Sequence, residues 1–232
     1  PFAGTPFVED LDATIAKITA SLPAKTANHL ERIIQAIALH PRATRDYSSK
    51  HDLLRNLRKA LLLQRTVELA YQKQGTQRPS KYRVDVYTLL LFDQGLYVRG
   101  YSHQSGEERL FAVDRMKHVT VTDDTFDIPT ANSAVDRQAT QFGLVEDSPQ
   151  TVSIRFSREV AHLMRERRWH PTQHTKKLRN GSVEVTFHAG GLDEIAWWVL
   201  GWGQEATVLS PPTLIKLVTD QLSMSLKRYT RT

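Results

Sequence analysis

The chain has 232 residues, a formal net charge of +6 and no cysteine. That length allows more than one compact domain, and the missing cysteines exclude disulfides and cysteine-metal sites. The positive surplus favours an anionic partner, and no apolar run is long enough to span a bilayer.

Phe7 to Leu22 places Val8, Leu11, Ile15, Ile18 and Leu22 at helical spacing, and Pro23 ends that helix. Leu30, Ile33, Ile34, Ile37 and Leu39 mark a second helix that stops before Pro41. A third is expected from about Ser49 to Gln64, with Leu53, Leu54, Leu57 and the run Leu61 to Leu63. The three carry no evident catalytic content, so residues 1–64 read as a linker or oligomerisation element. The chain begins at Pro1, which points to a fragment of a longer protein. No signal peptide is visible, and the expected location is the cytoplasm.

From Thr66 the period changes to that of strands. Val67–Tyr71 and Tyr82–Leu91 form the first two, separated by a polar loop with Gly75 and Pro79. After the turn Asp93-Gln94-Gly95 comes Leu96 to Tyr101, in which Tyr97, Arg99, Tyr101 and His103 alternate onto one side. The polar turn Ser102 to Gly106 then leads to a strand from Glu108 to Arg115, with Arg109, Phe111, Val113 and Arg115 on one side. Lys117 to Val121 is the fifth strand. This pattern predicts one face of cations interleaved with aromatic rings, which suits a nucleotide or a nucleic-acid strand. Five short strands in about sixty residues predict a small twisted barrel.

Asp123 to Pro129 reads as a linker, and Ser133 to Phe142 as a short helix capped by Asn132 or Ser133. The remainder reads as strand Thr151–Phe156, a helix from Arg158 to about Arg167 capped by Ser157, and strand His170–Leu178. An Asn180-Gly181 hairpin, strand Ser182–Ala189, helix Gly191–Gly201 and strand Ala206–Leu209 complete it. Strand-helix-strand-strand-helix-strand predicts a ferredoxin-like domain, followed by a helix from Pro211-Pro212 to about Tyr229. The fold class is therefore α+β, divided as residues 1–64, 65–130, 131–149 and 150–232.

Leu96-Tyr97-Val98 followed by Arg109-x-Phe111-x-x-x-Arg115 resembles the WYL domain of bacterial transcriptional regulators. In that family a tryptophan-tyrosine-leucine strand precedes an arginine-rich one. Tyr97 matches by identity, Leu96 and Val98 replace the other two, and Arg83 to Tyr87 lacks the proline the family often has there. The resemblance implies an Sm-like or SH3-like barrel, a C-terminal extension that helps dimerisation, and a helix-turn-helix DNA-binding domain before the first residues seen here.

The candidate ligand residues are Arg83, Tyr97, Arg99, Tyr101, Ser102, His103, Arg109 and Arg115. Arginine grips phosphate bidentately and stacks on bases, tyrosines stack on bases, and Ser102 and His103 add polar contacts. Between Thr151 and Asn180 eight cations stand against two carboxylates, a surplus as large as that of the entire chain. Arg165, Arg167, Arg168, Trp169 and His170 form a second basic-aromatic cluster there, of which Arg167 and Arg168 join the candidate list. Trp197, Trp198 and Trp202 read as core or interface anchors.

The sequence lacks an HExxH motif, a Gly-rich phosphate loop and a Gly-x-Ser-x-Gly elbow. Asp193 and Glu194 at a helix start are explained by the helix dipole. No catalytic residue, metal or cofactor is expected. The expected function is effector sensing and homodimerisation in a transcriptional regulator. Its ligand would be a short single-stranded nucleic acid or a nucleotide, and operator DNA would be bound through the domain not seen here. The alternatives are a ligand-free dimerisation module, or an accessory factor that holds nucleic acid for a partner enzyme.

Overall fold

The computed structural model describes residues 5–29, 45–129 and 140–230. The helix expected around Ile33 to Leu39 and most of the one expected from Ser133 lie outside the described residues. The chain divides into two compact units, Pro1–Pro129 and Thr130–Thr232. Among the described residues no helix is long and apolar enough to cross a membrane.

The first unit opens with α1 (Pro6–Ser21), entered through a proline in its first turn. Residues 24–29 are also helical. The next element is α2 (His51–Leu63), ended by Gln64 in the left-handed conformation. Five antiparallel strands follow: β1 (Arg65–Tyr71), β2 (Ser80–Phe92), β3 (Gly95–Ser102), β4 (Glu107–Ala112) and β5 (Met116–Thr125). Their order in the sheet is β4-β3-β2-β1-β5. Four strands run as a meander and the fifth returns to pair with the first, the arrangement expected of a small barrel.

The barrel core holds Val67, Leu69, Val84, Val86, Leu96, Val98, Phe111, Val113 and Met116 together with Leu54, Leu57 and Ala60 of α2. This corrects the expectation that α2 belongs to a linker. Its apolar stripe is fully buried against the strands, so the helix is part of the barrel. Asn56 fixes its rotation by donating from Nδ2 to the Val119 carbonyl at 2.8 Å. Leu11, Ile15 and Ile18 of α1 remain exposed.

A second correction concerns β4. The predicted strand from Glu108 to Arg115 ends at Ala112, and Val113–Arg115 is a 3₁₀ turn. The reason is tertiary. Asp114 accepts from the Arg45 guanidinium and from the Tyr47 hydroxyl at 3.2 Å. Lys50 Nζ captures the carbonyls of Asp114 at 3.1 Å and Met116 at 2.7 Å. These contacts hold the backbone in a turn that strand propensity alone does not anticipate.

The second unit contains β6 (Gln150–Phe156), α3 (Ala161–Glu166), β7 (His174–Lys177), β8 (Val183–Ala189), α4 (Leu192–Leu200), β9 (Ala206–Ser210) and α5 (Pro212–Tyr229). The sheet order β7-β8-β6-β9, antiparallel throughout, is the ferredoxin-like order that the sequence predicts. Three local details differ. Ser157 does not cap α3. The helix starts later, after Val160, and Ser157 Oγ instead donates to the Glu205 carboxylate. Strand β7 is shorter than expected, because residues 170–173 form a turn.

The third detail is at α4. Its first N–H groups, Gly191 and Leu192, donate to the Asp147 carboxylate at 2.6 and 3.3 Å. Glu194 reaches away from its own helix to accept from the N–H groups of Leu144 and Val145, both at 2.9 Å. Two carboxylates thus exchange places between loop and helix, forming a structural clasp.

Candidate functional site

The candidate residues of the barrel sort by strand register. On β3, Tyr97, Arg99 and Tyr101 are half-buried, while Leu96, Val98, Gly100 and Ser102 between them are buried. The alternation predicted for this strand is therefore present. In an antiparallel pair, directly opposed residues share a face. Tyr101 opposes Asp85 on β2 and Glu108 on β4, and Arg99 opposes Thr88 and Leu110. Arg83 lies two residues before Asp85 and so falls on the same outer face.

The same register corrects the placement of two residues. Arg109 opposes Gly100, and Phe111 opposes Val98. Both point to the core side of the sheet, opposite to Tyr97, Arg99 and Tyr101. Arg109 stands at the edge of that side, where Nη2 pairs with Glu107 at 2.7 Å. Arg115 sits on the 3₁₀ turn and donates to Gln74 at 3.3 Å. Tyr71, Tyr82 and Phe111 pack edge to face as a buried triad on the core side, with the Lys73 ammonium 5.8 Å from the Tyr82 ring. Ser102 is fully buried, and its hydroxyl has no hydrogen-bond partner, so a ligand on the outer face does not reach it.

The outer face is organised around a carboxylate that sequence reasoning did not single out. Asp85 Oδ1 accepts from Thr66 Oγ1 at 2.7 Å and pairs with His103 Nε2 at 2.9 Å. His103 also stands edge-on to Tyr101, with ring centroids 5.5 Å apart. Its own N–H donates to the Arg83 carbonyl at 3.0 Å, which pins the β3–β4 turn onto β2. Arg83 pairs through Nη2 with Asp124 at 2.5 Å. Burial pushes the Tyr87 hydroxyl above its ordinary value, and the charges of Asp85 and Glu108 push the same way. Strand alternation applied to Arg83-Val84-Asp85 was the signal that places Asp85 beside the arginine.

The face therefore offers three kinds of group: guanidinium forks, half-buried tyrosine rings and the half-buried Glu108 carboxylate, with Asp85 buried beneath and paired to Thr66 and His103. A bare polyanion needs only the first. A nucleotide uses all three, since its base supplies amino donors to carboxylates and a ring to stack on.

In the second unit Arg165, Glu166, Arg167, Arg168, Thr175 and Lys177 line an open groove of about 370 Å³. The Arg167 guanidinium lies 5.8 Å from the Trp169 ring, and Arg168 donates to the Pro171 carbonyl at 2.5 Å. Trp169 packs on Trp198 and Trp202 as part of an aromatic cluster with Phe156. Trp197 by contrast is 65% exposed.

His170 is buried against Phe187, with Nδ1 paired to Thr172 at 2.9 Å, so it is a core residue and not a ligand group. Burial lowers its pKa below the ordinary 6.5. A backbone hydrogen bond involving Gln141 opposes the shift, and His188 adds to it. A base with a depressed folded-state pKa binds its proton more readily when unfolded. Stability is then complete above the unfolded value and falls as pH drops through about 6.5 and onward to the folded value. The second unit is expected to melt at a lower temperature at pH 5 than at pH 7.5, and His170→Phe to reduce that difference. Equal pH dependence in both proteins would refute this account.

The WYL domain family matches residues 52–121 and the WCX domain family residues 148–224. None of the curated proteins matches the sequence. Among solved structures, proteasome accessory factor B/C of Arthrobacter aurescens aligns over 81% of this chain and 28% of its own, at 16% identity and a TM-score of 0.36. A CRISPR Cas-related protein aligns over 77% of this chain and 51% of its own, at 10% identity and a TM-score of 0.52, a likeness of fold. The chain thus spans at most about half the length of these two proteins.

Proposed function

This chain is a WYL-domain protein with a WCX domain behind it, and from that premise we propose that it forms the effector-sensing and dimerisation part of a cytoplasmic transcriptional regulator. The effector is a short single-stranded nucleic acid or a nucleotide, bound on the outer face of the barrel. The observation that carries this reading is that Arg83, Tyr101 and His103 gather around Asp85 on one face, which Arg99 and Tyr97 continue along β3. Phosphates meet the arginines, bases stack on the tyrosines, and base amino groups meet Glu108, while buried Asp85, paired with Thr66 and His103, holds His103 in place. No catalytic step and no cofactor is assigned. Binding acts on operator DNA only if the ligand favours one arrangement of the regulator over another.

The test is fluorescence anisotropy with a short labelled single-stranded DNA at low and moderate salt. Binding that weakens with salt is expected, because phosphate contacts release counterions. Because the face needs the base as well as the phosphate, inorganic polyphosphate is expected to compete poorly. Efficient competition by polyphosphate, or no binding at all, would sink the reading.

A second reading, a dimerisation module without ligand, is favoured by α5. Leu222, Leu226 and Tyr229 recur at helical spacing and are exposed, and so is Trp197 of α4. Dimerisation without any ligand affinity would select it.

A further inference from the structure

We propose that Arg45 is a further ligand-binding residue of the barrel face, held by Asp114 until a ligand phosphate takes it over. The inference rests on the reading of that face as a nucleotide or single-strand site. Arg45 precedes both matched domains and carries no motif. The structure nevertheless lays it on the candidate site.

Gly95 opens β3 where Arg45 crosses it. A Cβ on Gly95 would stand 3.0 Å from the guanidinium carbon of Arg45 and 3.0 Å from Cε2 of Tyr97. The guanidinium and the tyrosine ring edge therefore converge over a spot that only glycine leaves empty. A base stacked on Tyr97 would carry its phosphate into reach of this fork.

Without ligand the fork is occupied by Asp114 Oδ2. Both partners are open to solvent, with side chains 40% and 35% exposed. An ion pair at such exposure is weak and easily exchanged. A phosphate that is also anchored by stacking competes well against it, since guanidinium grips phosphate oxygens bidentately.

The surroundings let Arg45 leave without unfolding the barrel. Asp114 keeps its hydrogen bond from Tyr47, whose hydroxyl accepts from the Leu96 N–H at 2.8 Å. Lys50 continues to hold the carbonyls of Asp114 and Met116. Only the chain at residue 45 changes partner.

The experiment measures anisotropy with fluorescein-labelled oligothymidylate on the full chain. Arg45→Gln is expected to bind about tenfold more weakly, the loss of one charge-assisted contact. Asp114→Asn is expected to bind about threefold to fivefold more tightly, since the fork no longer leaves a carboxylate. The double variant should match Arg45→Gln alone. A merely structural role for Asp114 predicts the opposite sign for its variant. If Asp114→Asn does not fold, Gly95→Ala decides, because it crowds the guanidinium and the ring with every charge kept, and it is expected to weaken binding. Wild-type affinity in Arg45→Gln or in Gly95→Ala overturns the exchange and leaves the barrel reading standing. Failure of the wild type to bind the oligonucleotide overturns both.

Discussion

Replacing Arg83 and Arg99 together by alanine is expected to weaken binding of a short single-stranded oligonucleotide by about a hundredfold or more. Each charge-assisted contact contributes roughly 1.5–3 kcal/mol, and two of them on one ligand multiply. The loss has a second signature. A single strand releases about 0.7 counterions per phosphate neutralised, so the slope of log affinity against log salt should fall by about 1.4. Tyr101→Ala should differ in kind. It removes stacking worth about 1–3 kcal/mol per base and leaves the salt slope unchanged. Anisotropy titrations at several salt concentrations separate the two. An unchanged slope in the double arginine variant would place the phosphates elsewhere.

The register makes this a sharper test than one built on Arg109 and Arg115. Those two stand apart from the tyrosine face, Arg109 on the core side with Glu107 and Arg115 on the 3₁₀ turn. If affinity instead follows Arg109 and Arg115, the ligand lies over the edge of the sheet above Tyr71, Tyr82 and Phe111.

Much of the barrel was legible because strand period and apolar content agree. The alternation of β3, the hairpin after it and the order of the second unit all follow from local pattern. What escaped is non-local. A register shift between Val86 and Thr88 sets which β2 residues oppose Arg99. Residue counting from a turn cannot find it. The end of β4 depends on Arg45, Tyr47 and Lys50 closing on Asp114 from about 65 residues away in sequence. His170 reads as a strand residue beside arginines, yet apolar packing against Phe187 draws it inside. The site was legible as a set of residue types and not as a face. Arginine and tyrosine announce themselves, whereas the carboxylate that orders them shows its role only when Thr66 and His103 are seen to meet on it.

Gly100→Ala is expected to destabilise the first unit by about 3 kcal/mol or more, beyond the usual range for overpacking. A Cβ at residue 100 would stand 2.2 Å from the Asp85 carbonyl oxygen and 2.8 Å from Val84 Cγ1. The first of these is backbone of the paired strand, so no rotamer relieves it. Strands β2 and β3 must separate at the point where Asp85 and Tyr101 oppose each other, which is the centre of the proposed site. Gly95→Ala provides the control. The three atoms nearest its Cβ belong to the side chains of Arg45 and Tyr97, all at 3.0 Å and none of them backbone, so its thermal midpoint should stay within a few degrees of wild type. The pair separates two reasons for glycine on one strand, backbone approach at residue 100 and room for a side chain at residue 95. Thermal melting followed by circular dichroism decides it. A Gly100→Ala protein as stable as Gly95→Ala would mean that the two strands are not as tightly paired as described, and the geometry assigned to the ligand face would fall with that pairing.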